Sequence, residues 1–154
     1  MKYIQLSKGK EAIVDDSRYE ELNRYKWYVD NGYAKREVLV DGKRVRQLMH
    51  RHIIGAVKGE ICDHINGNRL DNRRSNLRIV SYSQNAMNKG PIKTSGSGYR
   101  GVYIMHNKKK WIARVEGLGK CRHIGVFETK EEAAKAYNKV ALQVYGEYAR
   151  LNEV

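Results

Sequence analysis

Short apolar–polar strides run through most of this chain, and a sustained helical stride occurs near one end only. Tyr3-Ile4-Gln5-Leu6 and Ala12-Ile13-Val14 flank Lys8-Gly9-Lys10, the pattern of two strands around a turn. Asp15-Asp16-Ser17 offers N-cap side chains for a helix through about Tyr25, with Glu20 and Glu21 in its early turns. Residues 33–40 and 43–48 read as strands around Asp41-Gly42, a dipeptide suited to the positive φ that both loop residues of a tight hairpin need. Residues 49–55 suit a short helix ending at Gly55. A compact segment then runs strand (61–65), turn (Asn66-Gly67-Asn68), strand (77–80) and helix (Ser81 to about Asn88).

Residues 89–98 hold the only proline and three glycines and read as a linker. Three strand candidates follow at 99–105, 111–116 and 122–127. Thr129-Lys130-Glu131-Glu132 forms a capping box for a helix from about Lys130 to Tyr145. Its apolar stripe is Ala133, Ala134, Tyr137, Val140, Ala141 and Val144, and Gly146 is a natural stop. The fold class expected is α+β. The organisation expected is a β-rich segment over 1–48, a core over 49–90, a linker over 91–98 and a second module over 99–154.

The 154 residues suffice for one ordinary domain or two small ones. No apolar run approaches 18 residues, so no membrane span or secretory leader is expected. Cys62 and Cys121 lie far apart without CxxC spacing, which argues against a zinc ribbon or a disulfide scaffold and for a reducing, cytoplasmic setting. Charge narrows the partners further. The net charge of +13 divides into +5, +3 and +5 over residues 1–58, 59–95 and 96–154. Positive charge distributed over a folded chain favours a polyanionic partner through release of phosphate counterions.

Within the compact segment the chemistry is specific. Asp63-His64 places a hard oxygen ligand beside an imidazole able to act as a base near neutral pH. Neighbours on a strand face opposite ways, so both can serve one site only if the strand ends or bends there, which Asn66-Gly67-Asn68 permits. Asn85 in the following helix could supply a second oxygen, and the Asn76 carbonyl oxygen could accept a hydrogen bond from the His64 ring. Such parts suit phosphodiester hydrolysis: a cation to offset phosphate charge, a base to deprotonate water, and a group to orient that base.

The residues Met49-His50-Arg51, Asp63-His64-Ile65-Asn66-Gly67, Leu70 to Arg78 and Gln84-Asn85 resemble HNH endonucleases with the ββα-metal site, in particular phage-type homing endonucleases. The resemblance implies Asp63 as a metal ligand, His64 as general base, Asn76 as its orienter and Asn85 as second ligand, in the place of the family's final histidine. It implies one divalent ion, magnesium foremost with manganese as the alternative. His50 and His52 remain open between capping a strand, contacting a phosphate and packing, with a catalytic role a further alternative for His50. Arg51, Arg69, Arg73 and Arg74 are candidate DNA contacts, with solvated surface as the alternative for the last three.

Beyond the linker, Tyr99-Arg100-Gly101-Val102, Trp111-Ile112-Ala113, Ile124-Gly125-Val126-Phe127, residues 131–137 and Ala149-Arg150-Leu151-Asn152 resemble an APETALA2-type DNA-binding domain. The resemblance implies a three-stranded antiparallel sheet packed on one helix, with its outer face in the major groove. Val102, Trp111, Ala113, Val115, Ile124 and Phe127 should face the helix. Arg100, Tyr103, Met105, Arg114 and His123 should face outward, and Arg122 joins the candidate DNA contacts. Tyr103 and Met105 stand where plant members carry arginine, so their target sequence does not transfer. Lys108, Lys109 and Lys110 read as phosphate contacts or as a solvated charge run. The function expected is a homing-type, strand-nicking DNA endonuclease on double-stranded DNA, monomeric or weakly dimeric, phage-encoded and acting in a bacterial host. No membrane or small-molecule substrate is expected. A non-catalytic DNA-binding regulator is the alternative.

Overall fold

A computed structural model describes residues 1–88, 96–105, 109–117 and 120–154. Contacts divide the chain into two compact units, Met1–Ser81 and Tyr82–Val154. The architecture is α+β, with four small antiparallel sheets and few helices. Lys108 and most of the expected linker, residues 91–95, lie outside the described residues. No described helix is long and apolar enough to cross a membrane.

In the first unit, β1 (Lys2–Gln5) pairs with β2 (Glu11–Val14) through a turn in which Lys8 and Gly9 take positive φ. Helix α1 (Asp16–Asn23) stops two residues short of the expected Tyr25. The Trp27 indole donates to the Leu22 carbonyl at 2.8 Å and so occupies a last-turn acceptor. Strand β3 (Tyr28–Asp30), which the sequence did not suggest, pairs with β4 (Tyr33–Val40) through Asn31-Gly32. Both turn residues have positive φ, 51° and 79°, the geometry that twists a two-residue loop with its strands. Strand β5 (Lys43–Leu48) completes this sheet through Asp41-Gly42, again with both φ values positive. Helix α2 (Met49–Ile54) ends at Gly55 in the left-handed region, as expected. Strands β6 (Ile61–His64) and β7 (Leu77–Val80) form the next hairpin. One core joins these pieces: Ile4, Leu6, Ala12, Val14, Leu22, Trp27 and Ala34 pack with Met49, Ile53 and Leu77. Residues 1–48 are thus part of the same hydrophobic body as α2 and β7.

The second unit opens with α3 (Tyr82–Met87). Strands β8 (Val102–Met105), β9 (Lys110–Gly117) and β10 (Lys120–Phe127) form an antiparallel sheet in the order β10-β9-β8. The first strand starts three residues later than expected. Gly98 and Gly101 take positive φ, and the Ser97 hydroxyl bonds backbone groups of Tyr99 and Val102, which makes 97–101 a turn. Helix α4 (Lys130–Tyr145) starts at Thr129 with both halves of the capping box formed. Its Ala133, Ala134, Tyr137 and Ala141 are buried against the sheet. All six residues expected to face the helix do so.

Gly101, just before β8, lies close against Tyr137 of α4. A Cβ there would lie 2.2 Å from the Tyr137 ring and 2.5 Å from the Arg114 carbonyl oxygen, at a φ of +70°. Neither neighbour can retreat, because Tyr137 is buried and the carbonyl is backbone. Gly101→Ala is therefore expected to destabilise the second unit by about 2–5 kcal/mol from strain and overpacking. Urea melts of parent and variant check this; an unchanged midpoint would contradict the packing described.

Candidate active site

The candidate site is built on the twelve residues between β6 and β7, a long connection braced by its own amides and carboxylates. The Asn76 side chain is its central fastener. Its Oδ1 accepts from the Asn66 backbone N–H at 3.0 Å, and its Nδ2 donates to Asn66 Oδ1 at 3.0 Å and to the Asp71 carbonyl at 2.8 Å. Asn66 Nδ2 donates to Asp71 Oδ2 at 2.8 Å. Asp71 also receives both prongs of Arg73, at 2.8 and 2.7 Å. Strand β2 grips the loop from outside: Ile13 N–H donates to the Leu70 carbonyl and Asn72 N–H to the Ile13 carbonyl, both at 2.8 Å. Asp15 Oδ2 accepts from the Arg74 backbone N–H at 2.7 Å.

That loop sets His64 at the end of β6, where the Gly67 N–H donates to the His64 carbonyl at 2.9 Å. The ring is buried and meets His50 of α2 edge-on, with centroids 4.9 Å apart. Tyr33 of β4 closes the cluster, 5.2 Å from His50 and 6.1 Å from His64. The Arg69 guanidinium covers Tyr33 at 4.7 Å and donates to the Asn31 carbonyl at 3.0 Å. Burial lowers the His64 pKa; the adjacent Asn72 amide and the Asp63 and Asp71 charges pull it partly back. Burial, with the neighbouring His64 and Arg51, pushes His50 down to about 3. Both imidazoles are thus neutral near pH 7, the form a general base needs.

Asp63 is buried and paired across the hairpin with Arg78, whose Nε and Nη2 donate to Oδ2 at 3.1 and 3.0 Å. Its donor chemistry fits a hard divalent ion that takes few ligands from protein. It does not fit a zinc cage: among the described residues no three His, Cys, Asp or Glu side chains converge, and burial pushes the Cys62 thiol up to about 11. Asn85 lies on α3, half-buried, in the second unit.

Several expected positions are occupied differently. Asn76 does not accept from the His64 ring; its whole amide is spent on the loop, and Asn72 is the amide beside the imidazole. Arg51 donates to the Glu60 and Val57 carbonyls at 2.6 Å each and so ties down the connection after α2. His52 bonds Glu21 of α1 at 2.8 Å, a packing role. Arg73 is neutralised by Asp71, while Arg69 and Arg74 are exposed. In the second unit Tyr103, Arg114 and His123 share the outer face, joined by Ile112 and Val126. Lys109 is exposed, and Lys110 pairs with Glu128. Arg122 is in register with the core residue Val115, which puts it on the helix side of the sheet. Arg100 is turned away from the outer face and donates to the Ala86 and Met87 carbonyls. Sequence reasoning missed Tyr33, Asn72 and Arg78. Only Arg78 left a usable signal, because the hairpin register places it opposite Asp63.

A buried histidine at the end of a hairpin strand, beside the Asp63–Arg78 pair, marks a candidate site, and comparison with known proteins gives the family. The HNH endonuclease family model matches residues 47–87. A protein of Acanthamoeba polyphaga mimivirus, named as an uncharacterized HNH endonuclease, is 33% identical over 149 residues, covering 96% of this chain and 77% of that one. A protein of Escherichia phage T7, named Protein 3.8, is 29% identical over 93 residues, or 60% of this chain and 76% of its own. No solved structure matches. The chain belongs to the HNH endonuclease family, whose members are nucleases that generally use a divalent metal ion. Membership favours the enzyme over the non-catalytic regulator.

The Asp71–Arg73 pair has a pH signature. The Arg73 guanidinium beside Asp71, aided by Asn66, holds this carboxyl below its ordinary value of 3.8. Its folded pKa is thus below its unfolded one, so its stabilisation is complete above about pH 4 and is lost as pH falls through the folded value. Unfolding free energy of the parent should decline below pH 4 more steeply than that of Asp71→Asn. Equal slopes in denaturant melts at pH 3 and pH 6 would rule this out.

Proposed function

We propose that this protein is a magnesium-dependent endonuclease that nicks double-stranded DNA, with His64 as general base and Asp63 as a metal ligand. The observation that carries the reading is His64 itself: neutral, buried, and held by a loop whose polar groups brace one another. His64 takes the proton of a water molecule as the water oxygen bonds to phosphorus and the leaving oxygen departs with the electrons of the broken P–O bond. A divalent ion, when bound, offsets charge on the phosphate and leaving oxygen. Asp63 would hold it, with Arg78 steadying the carboxylate. The family match extends through residue 87 and includes Asn85, proposed as the second oxygen ligand. Asn72 is proposed to orient the His64 ring, and Asn76 to hold the loop that carries both.

The second unit packs a three-stranded antiparallel sheet on one helix, which supports the APETALA2-type reading, and we assign it target selection through Tyr103, Arg114 and His123. Exposed Arg69, Arg74 and Lys109 would add phosphate contacts. Relatives in a mimivirus and in phage T7 support a virus-encoded enzyme; the homing type, a phage source and nicking by a monomer are part of the same proposal.

Supercoiled plasmid incubated with the protein and magnesium should become open-circular, and chelation should stop it. His64→Ala should nick at least about 100-fold more slowly, the scale of a lost general base. An active His64→Ala variant, or a parent inert with magnesium and manganese while binding DNA, would refute the proposal.

A further inference from the structure

Helix α3 spans six residues, too few to stand alone in water. Its last carbonyls lack partners within the helix. Arg100 supplies them: its guanidinium donates to the Met87 carbonyl and, at 3.1 Å, to the Ala86 carbonyl. These are the two residues that follow Asn85. The Met87 side chain packs on the cluster of Val115, Tyr137, Ala141 and Tyr145, so the same turn is fixed by an apolar contact as well.

Arg100 is itself held from both sides. Its backbone N–H donates to Asn152 Oδ1 at 2.7 Å, and Asn152 Nδ2 donates to its carbonyl at 3.1 Å. Asn152 is in turn bound to Asn138 of α4 by two bonds, of 2.7 and 2.8 Å. The Tyr145 ring lies 5.8 Å from the guanidinium. A continuous polar chain thus runs from α4 through Asn152 and Arg100 to the end of α3. An arginine aimed at two adjacent carbonyls is oriented by its planar fork in a way lysine cannot copy. Its donors are directed at this chain rather than at a groove.

We infer that Arg100 is a positioning residue of the nuclease, holding the last turn of α3 and through it the Asn85 amide. This rests on the reading of Asn85 as a metal ligand.

The test uses the full chain with Arg100→Ala, Arg100→Lys, Asn85→Ala and Arg114→Ala. Manganese binding is followed by electron paramagnetic resonance, hydrogen exchange of residues 82–87 is measured without metal, and DNA affinity is measured without metal at fixed salt. Arg100→Ala should speed exchange in 82–87 and weaken manganese binding about 10-fold, the scale for removing a group that orients a ligand. Its DNA affinity should be unchanged. Arg100→Lys, which keeps one donor and protects against an unfolded alanine variant, should fall between parent and Arg100→Ala. Arg114→Ala should do the reverse: weaker DNA binding with manganese binding intact. Arg100→Ala that loses DNA affinity but keeps parental exchange and manganese binding would make Arg100 a DNA contact and overturn the inference. Asn85→Ala with undiminished manganese binding would remove the ligand reading and the inference with it. Loss of manganese in Asn85→Ala but not in Arg100→Ala would overturn the Arg100 assignment alone.

Discussion

The amide of Asn76 is the constraint on which the β6–β7 connection, and the candidate site at its start, depends. A twelve-residue connection inside a small unit has little hydrophobic surface to bury and many backbone groups to satisfy. Asn76 meets both ends of that problem: it closes the loop onto Asn66 and Asp71 while its own backbone continues into β7. With Asn66 and Asp71 it forms a network in which each buried polar group has a partner. Such networks rigidify when complete and destabilise when broken, because the orphaned group then bears its full desolvation cost, about 1–3 kcal/mol. The loop therefore has essentially one conformation, and the end of β6 inherits it.

His64 and Asp63 draw different benefits from that rigidity. Strand β6 ends at His64, and the ladder sets each side chain against a different neighbour. His64 meets the His50 and Tyr33 rings, which shield it from water and favour its neutral form. Asp63 meets Arg78 directly across the hairpin. A nearly buried carboxylate without a cation would be costly, and an ion pair only partly offsets the burial of both charges. The pair is therefore a weak source of stability in itself.

Sequence pattern revealed much of this and missed the rest for definable reasons. The Asp41-Gly42 hairpin, α2 with its Gly55 stop, the β6–β7 hairpin and the capped α4 all rest on local signals: turn chemistry, alternation and capping. Those signals act within a few residues, so they survive translation into structure. Tyr33 and His50 reach His64 only through the tertiary packing of β4 and α2 on β6, which no local pattern encodes. Asn76 and Asn72 are chemically identical side chains four residues apart, and the question of which one faces the imidazole is decided by the loop's path. The arginines show the same limit. Composition counts them as positive charge for DNA, yet Arg51, Arg73 and Arg100 are spent on carbonyls or a carboxylate within the chain. Of the +13, a share is structural.

That last distinction alters how the second unit is understood. A sheet-and-helix module attached to a nuclease suggests a tether, in which recognition and chemistry are separable. The family match, however, runs to residue 87, while α3 packs and hydrogen-bonds within the unit that begins at Tyr82. The relative from mimivirus is similar across 96% of this chain, not across the nuclease motif alone. A six-residue helix has little stability of its own. What holds it is Met87 in the core of the second unit and Arg100 on its carbonyls, and both disappear if that unit unfolds. The order of α3 therefore depends on the stability of the second unit.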